Sequence, residues 1–145
     1  MSGEKDLIKL LKSMNPEPKS EEYVFISLKG AVYGDAPELK PTAMFMEDEG
    51  MTLVIPRSIA DELGIAYESV FRCITLRVHS SLDAVGFSAT IAGALAKRGI
   101  SANIMAGYFH DHIFVPSERA EEALSILKEL SETLKAQETR ATNYP

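Results

Sequence analysis

The sequence has no tryptophan and one cysteine, Cys73, in 145 residues. A single thiol excludes an intramolecular disulfide, so the fold rests on packing and suits a reducing compartment. Cys73 lies in the apolar run Val70-Phe71-Arg72-Cys73-Ile74, where a free thiol is more often a small buried hydrophobe than a nucleophile. No apolar run approaches the ~20 residues needed to cross a bilayer, and the charged start Met1-Ser2-Gly3-Glu4-Lys5-Asp6 leads into no signal-like hydrophobic segment. The expected location is therefore the cytoplasm. Basic charge is also scarce: 15 Lys and Arg stand against 21 Asp and Glu, for a net charge of −6. Nucleic acids and anionic membranes both require a concentrated basic face, so neither is an expected partner. The chain has no P-loop, no dinucleotide fingerprint and no CxxC. His79 is followed by Ser80 and Ser81, but adjacent residues on a strand point to opposite faces, which leaves no nucleophile with a base beside it. No enzyme, cofactor or metal is expected.

What is present is ordinary globular material, 46% hydrophobic and 25% charged, enough for a core without a metal or a covalent staple. Leu7, Leu10, Leu11 and Met14 fall at helical spacing, and Asn15-Pro16-Glu17-Pro18 ends that helix. Residues 23–28 form a strand, and the Gly- and Pro-bearing stretch 30–41 a loop. Residues 43–46 and 52–55 read as a hairpin around Glu47-Asp48-Glu49-Gly50. After Pro56, Ser58 caps a short helix that Gly64 closes. Further on come a strand over 71–78, a helix from about Asp83 to Arg98 ended by Gly99, and strands over 100–108 and 111–115. A helix capped by Ser117 then carries Ala120, Ala123, Leu124, Leu127, Leu130 and Leu134 on one stripe. The polar residues 137–145 are expected to be a flexible tail.

An internal repeat reorganises this reading. Thr52-Leu53-Val54-Ile55-Pro56 aligns with His112-Ile113-Phe114-Val115-Pro116, and Phe25-Ile26-Ser27-Leu28-Lys29 with Cys73-Ile74-Thr75-Leu76-Arg77. The two offsets differ by about one helix, for which the second half has room while the first half has only its Gly/Pro loop. A degenerate module over residues 1–66 is thus followed by a complete one over 67–136. Each has strands joined by a crossover and a hairpin, with the crossover expected to link neighbouring strands. The fold class is α+β and ferredoxin-like, two tandem βαββ-type modules sharing an antiparallel sheet with helices on one face.

The second half resembles an ACT domain through two stretches. One runs from Leu76-Arg77-Val78-His79-Ser80-Ser81-Leu82 through Asp83-Ala84-Val85-Gly86-Phe87-Ser88, and the other from Gly99 to Pro116 through Gly107-Tyr108-Phe109-His110-Asp111-His112. Over residues 20–135 the chain is similar to small bacterial tandem-ACT proteins of unassigned ligand. It is more distantly similar to the modules of aspartate kinases and of the animal cytosolic arginine sensor. The resemblance implies a stand-alone regulatory protein, a homodimer, that binds an amino acid or similar metabolite at the turn after a strand. Val85, Gly86 and Phe87 would then offer N–H groups to the carboxylate, Ser81 would lie in the same turn, Asp83 or Asp111 would take the ammonium, and Gly107 and Tyr108 would wall the far end. The family usually acts on a fused partner domain, which this chain lacks, and the first module lacks the helix-opening Gly turn.

Plainer readings stand beside these. Ser81 and Asp83 are good helix N-caps, Gly86 suits close packing on a sheet, Tyr108 suits an interface, and Asp111 suits a hairpin turn. A ligand-independent assembly module that docks on an enzyme is the alternative function. His79, His110 and His112 together supply a third, a small metal protein or enzyme, although a stable site wants more ligands than these.

Overall fold

The structure, a computed structural model, describes residues 3–142. Asp6 opens the first helix, α1 (Leu7–Lys12), by accepting the Lys9 N–H, and a proline soon after prevents its continuation. Strand β1 (Pro16–Leu28) follows. It begins well before the expected residue 23 despite Pro16 and Pro18. Two prolines at i and i+2 lack donors on the same edge of a strand, and pairing with the next strand of the hairpin starts only at Tyr23, so the prolines are tolerated.

The acidic hairpin is present as β2 (Ala43–Glu47) and β3 (Gly50–Pro56). It leads directly into α2 (Arg57–Leu63), which Gly64 closes as expected. Ser58 is not the cap: the helix starts one residue earlier, Pro56 holds the cap position, and no side chain bonds there. Strand β4 (Phe71–Leu76) precedes α3 (Phe87–Ala96). Strands β5 (Asn103–Ala106) and β6 (Asp111–Pro116) form the second hairpin. A 3-10 turn over Ser117–Arg119, with Pro116 at its own cap position, leads into the last helix. That helix, α4 (Ala120–Thr142), takes in most of the expected tail, and only residues 143–145 of the tail lie outside the described residues.

The residues group into two compact units that do not follow chain order: a small unit over 20–72, and a large unit made of residues up to 19 and from 73 onward. In the small unit β3 lies between β2 and β1, and in the large unit β6 lies between β4 and β5. Each hairpin therefore places its second strand, β3 or β6, beside the strand that precedes the crossover. The expectation that crossovers link neighbouring strands is corrected: β4 and β5 flank β6. The repeat itself survives, since β1 with β3 and β4 with β6 hold equivalent places.

In the large unit α1, α3 and α4 bury Leu10, Leu11, Met14, Phe87, Ile91, Leu95, Ala123 and Leu127 against Ile74, Leu76, Ile113 and Val115 of the sheet. Each fully buried Leu or Ile contributes about 1.5–3 kcal/mol. In the small unit Val24, Ile26, Met51, Leu53 and Ile55 gather with Leu39 and with Ala60 of α2. Antiparallel strands with helices on one face make each unit ferredoxin-like. No helix among the described residues is long and apolar enough to cross a membrane.

Candidate functional site

The expected ligand turn joins β4 to α3, and its local structure differs from the expected helix over 83–98. The Ser81 hydroxyl accepts the Asp83 N–H at 3.1 Å, and the Ser81 carbonyl accepts the Ala84 N–H at 3.0 Å. Both bonds close a turn over 81–84 that competes with helix. The helix begins only at Phe87, with Gly86 at the cap position and φ +92°. That left-handed conformation suits glycine, and no side chain caps the helix there. Asp83 is therefore not the helix cap. The Gly86 carbonyl accepts both the Thr90 N–H at 2.9 Å and the Thr90 hydroxyl at 2.8 Å.

A cleft of about 170 Å³ lies on this turn, lined by Gly3, His79, Ser80, Ser81, Leu82, Asp83 and Tyr108. Of the expected site residues, the structure brings Ser81, Asp83 and Tyr108 into it. Asp111, only 7% exposed, sits next to it and accepts the hydroxyl of the lining Ser80 at 2.9 Å. A buried carboxylate without such a donor would be costly. Gly107 closes the β5–β6 hairpin, its N–H donating to the His110 carbonyl at 2.9 Å. Val85 is 84% exposed and the Phe87 side chain is core, and neither they nor Gly86 line the cleft.

Tyr108, 60% exposed, belongs to an aromatic group at the hairpin tip. Its ring lies 5.0 Å from Phe109, and the His79 ring lies 5.1 Å from Phe109 and 6.4 Å from Tyr108. These separations are those of packed aromatic pairs. His112 places Nδ1 3.0 Å from the Thr75 hydroxyl. Burial pushes its pKa below the ordinary value, positive neighbours led by His110 add to this, and Asp111 opposes it. The His110 pKa is lowered the same way, first by desolvation and then by Arg77 and His79, with Asp111 opposing. Burial pushes the Cys73 thiol up, away from the reactive thiolate. No group of three or more His, Cys, Asp or Glu among the described residues is arranged to hold a metal ion.

The element absent from the sequence-based site is the start of the chain. Glu4 forms a parallel bridge with Ser80: its N–H donates to the His79 carbonyl at 2.9 Å, and its carbonyl accepts the Ser81 N–H at 2.9 Å. A Cβ on Gly3 would come within 2.6 Å of the His79 carbonyl oxygen and 2.8 Å of the Ser81 nitrogen. Only glycine allows that approach. Leu7 lies 3.4 Å from where a Gly86 Cβ would stand. Nothing local in Gly3-Glu4 signals these contacts, which span more than seventy residues of chain.

Models of the ACT domain match residues 2–72 and residues 68–129. The chain is 50% identical to a Vibrio cholerae protein of unknown function, described as a possible transport protein, over 81% of this chain and 89% of that one, with a TM-score of 0.75. The regulatory subunit of aspartate kinase from Thermus thermophilus, in its ligand-free form, superposes at a TM-score of 0.60 with 13% identity, covering 82% of this chain and 98% of that one. A protein from Agrobacterium tumefaciens superposes at 0.58 with 15% identity, over 80% and 87% of the two chains. No match is found among curated protein sequences.

Proposed function

The chain belongs to the ACT-domain family, and on that premise we propose that it binds a free amino acid at the turn between β4 and α3, as a regulatory, non-catalytic protein of the cytoplasm. The observation that carries this reading is a small cleft at the β4–α3 turn with one carboxylate and one aromatic wall, a few residues along the chain from a helix start lacking a side-chain cap. The first N–H groups of α3 have no partner within the helix and carry the positive end of its dipole, which favours a carboxylate. Asp83 is the one carboxylate in the cleft lining and takes the ammonium. Because Asp83 is exposed, that pair contributes about 1 kcal/mol or less until something covers it. A cleft of about 170 Å³ is below the ~300–1,000 Å³ of pockets for drug-sized molecules, which favours a single amino acid over a nucleotide.

Thermal melting of the full chain against each of the twenty amino acids tests this. A ligand at about 100 times its dissociation constant stabilises the fold by about 2.7 kcal/mol. The Gly86→Val variant should lose that response. A melting point that none of the twenty shifts, in the wild type or in a Gly3→Val variant that breaks the contact of Gly3–Glu4 with the turn, refutes the reading.

A second reading, a homodimer or docking module, is favoured by the exposed Leu82, Val85, Tyr108 and Phe109 around the cleft. Apolar groups in such a cluster mark surfaces that partners cover. Sedimentation with and without the responding amino acid separates the readings. A fixed dimer without ligand response favours assembly, and a monomer under both conditions removes it.

A further inference from the structure

The Gly3–Glu4 segment holds a donor–acceptor pair of the turn that an amino acid could also use. Glu4 presents an N–H to the His79 carbonyl and a C=O to the Ser81 N–H, each at 2.9 Å, and these two groups flank a single Cα. A free α-amino acid likewise carries a donor, its ammonium, and an acceptor, its carboxylate, on either side of one Cα. An ammonium has three donors and a carboxylate about four acceptor sites, so this pair adds to Asp83 and the start of α3 without replacing them. The segment is seated closely: Gly3 leaves no room for a Cβ against His79, Ser80 and Ser81, and it lines the cleft itself. The Glu4 side chain folds back to accept the N–H groups of Lys5 at 3.0 Å and Asp6 at 2.9 Å, which fixes the segment ahead of α1.

We propose that Gly3–Glu4 is a strap that occupies the backbone of the ligand turn, and that a free α-amino acid binds by displacing it from His79 and Ser81. The proposal rests on the amino-acid reading above and adds a competitor to it. Binding then reports on the start of the chain: occupancy frees residues 3–4, and a docked strap keeps the site closed. The apparent affinity is the intrinsic affinity multiplied by the fraction of molecules with the strap undocked.

The test uses the full chain, the twenty free amino acids as probes, and two variants that unseat the strap differently. Gly3→Val cannot make the close approach, and Glu4→Pro removes the N–H given to His79. Both variants should bind at least one amino acid about fivefold or more tighter than the wild type. Binding by the variants alone is also support. In the wild type the ligand should speed amide exchange at Glu4 while Ser81 stays protected. Equal or weaker binding by the variants, or slower exchange at Glu4 with ligand present, makes the strap a wall and overturns the proposal while amino-acid binding stands. No binding by the wild type or either variant overturns both.

Discussion

The two units leave the same repeated strand in different ways. In the large unit the chain leaves β4 through a turn bonded at both ends and enters a helix of three turns. In the small unit it leaves β1 into a loop with only a 3-10 turn, Pro37–Leu39, flanked by Ala36 and Lys40 in left-handed conformation. Such conformations cost a non-glycine residue about 1–2 kcal/mol each. The buried Leu39 anchors the loop to the small unit's core, in place of a whole apolar helix face. The difference shows that covering a sheet and building an anion seat are separable tasks. A single leucine on a loop contributes to the first, whereas the second needs a run of unpaired N–H groups at a helix start. The loop after β1 opens no α-helix, so it has no counterpart to the seat proposed after β4.

The largest expected effect tests the unit assignment. Leu10 belongs to the opening helix but is fully buried in the large unit's core. Leu10→Ala should destabilise the fold by about 2–5 kcal/mol. Amide exchange should rise across α3 and α4 at lower denaturant than across β2 and β3. If the β2–β3 amides open first, α1 belongs with residues 20–72 and the comparison fails.

Gly86→Ala comes next. At φ +92° a side chain is strained, so a loss of about 1–3 kcal/mol is expected by urea denaturation. The same change at Gly93 of α3, where φ is not positive and a Cβ would meet nothing within 4 Å, would not carry that cost. A loss below about 0.5 kcal/mol would mean that the turn relaxes freely and the helix start is not preorganised.

The periodic parts of this arrangement were legible in the sequence and the non-local parts were not. Apolar spacing located α1 and α4, the hairpins followed from their turn residues, and the repeat between Thr52–Pro56 and His112–Pro116 anticipated the equivalent places of β3 and β6. The start of α3 was misplaced because Asp83-Ala84-Val85 reads acceptably as helix, while the bonds from Ser81 that divert the chain depend on turn geometry. Ser58 looks like a cap, yet Pro56 takes the cap position, since the strand runs straight into the helix. Of the cleft, Ser81, Asp83 and Tyr108 followed from resemblance to a family. Gly3 and Glu4 did not, because their partners lie at His79–Ser81 and no local pattern encodes that pairing.

A smaller effect probes the polar side of the comparison. In the small unit the Tyr67 hydroxyl donates to Asp61 at 2.6 Å and accepts from Arg57 Nε at 3.0 Å, and Arg57 also bonds Glu22 at 3.0 Å. Tyr67→Phe should cost about 0.5–1 kcal/mol in urea denaturation, at the low end because the network is largely exposed. The loss should shrink at high salt. A cost above about 2 kcal/mol would mean that polar bonds, not the apolar cluster, hold the small unit.

The smallest effect at neutral pH appears only on acidification, and it distinguishes the units because His79, His110 and His112 all lie in the large one. Burial lowers the pKa of His112, so the unfolded chain takes up a proton near the ordinary histidine pKa of 6.5 before the folded chain does. Where the unfolded state binds more protons, stability rises with pH. The contribution of neutral His112 is therefore complete above about pH 6.5 and is lost as pH falls from there towards the lowered folded value. Between pH 7 and 5, before most carboxylates titrate, amides of β4 and β6 should lose protection while those of β2 and β3 hold theirs. His112→Asn should flatten that slope whatever it does to stability at pH 7. An unchanged slope in the variant would assign the acid response to His110, whose pKa burial also lowers.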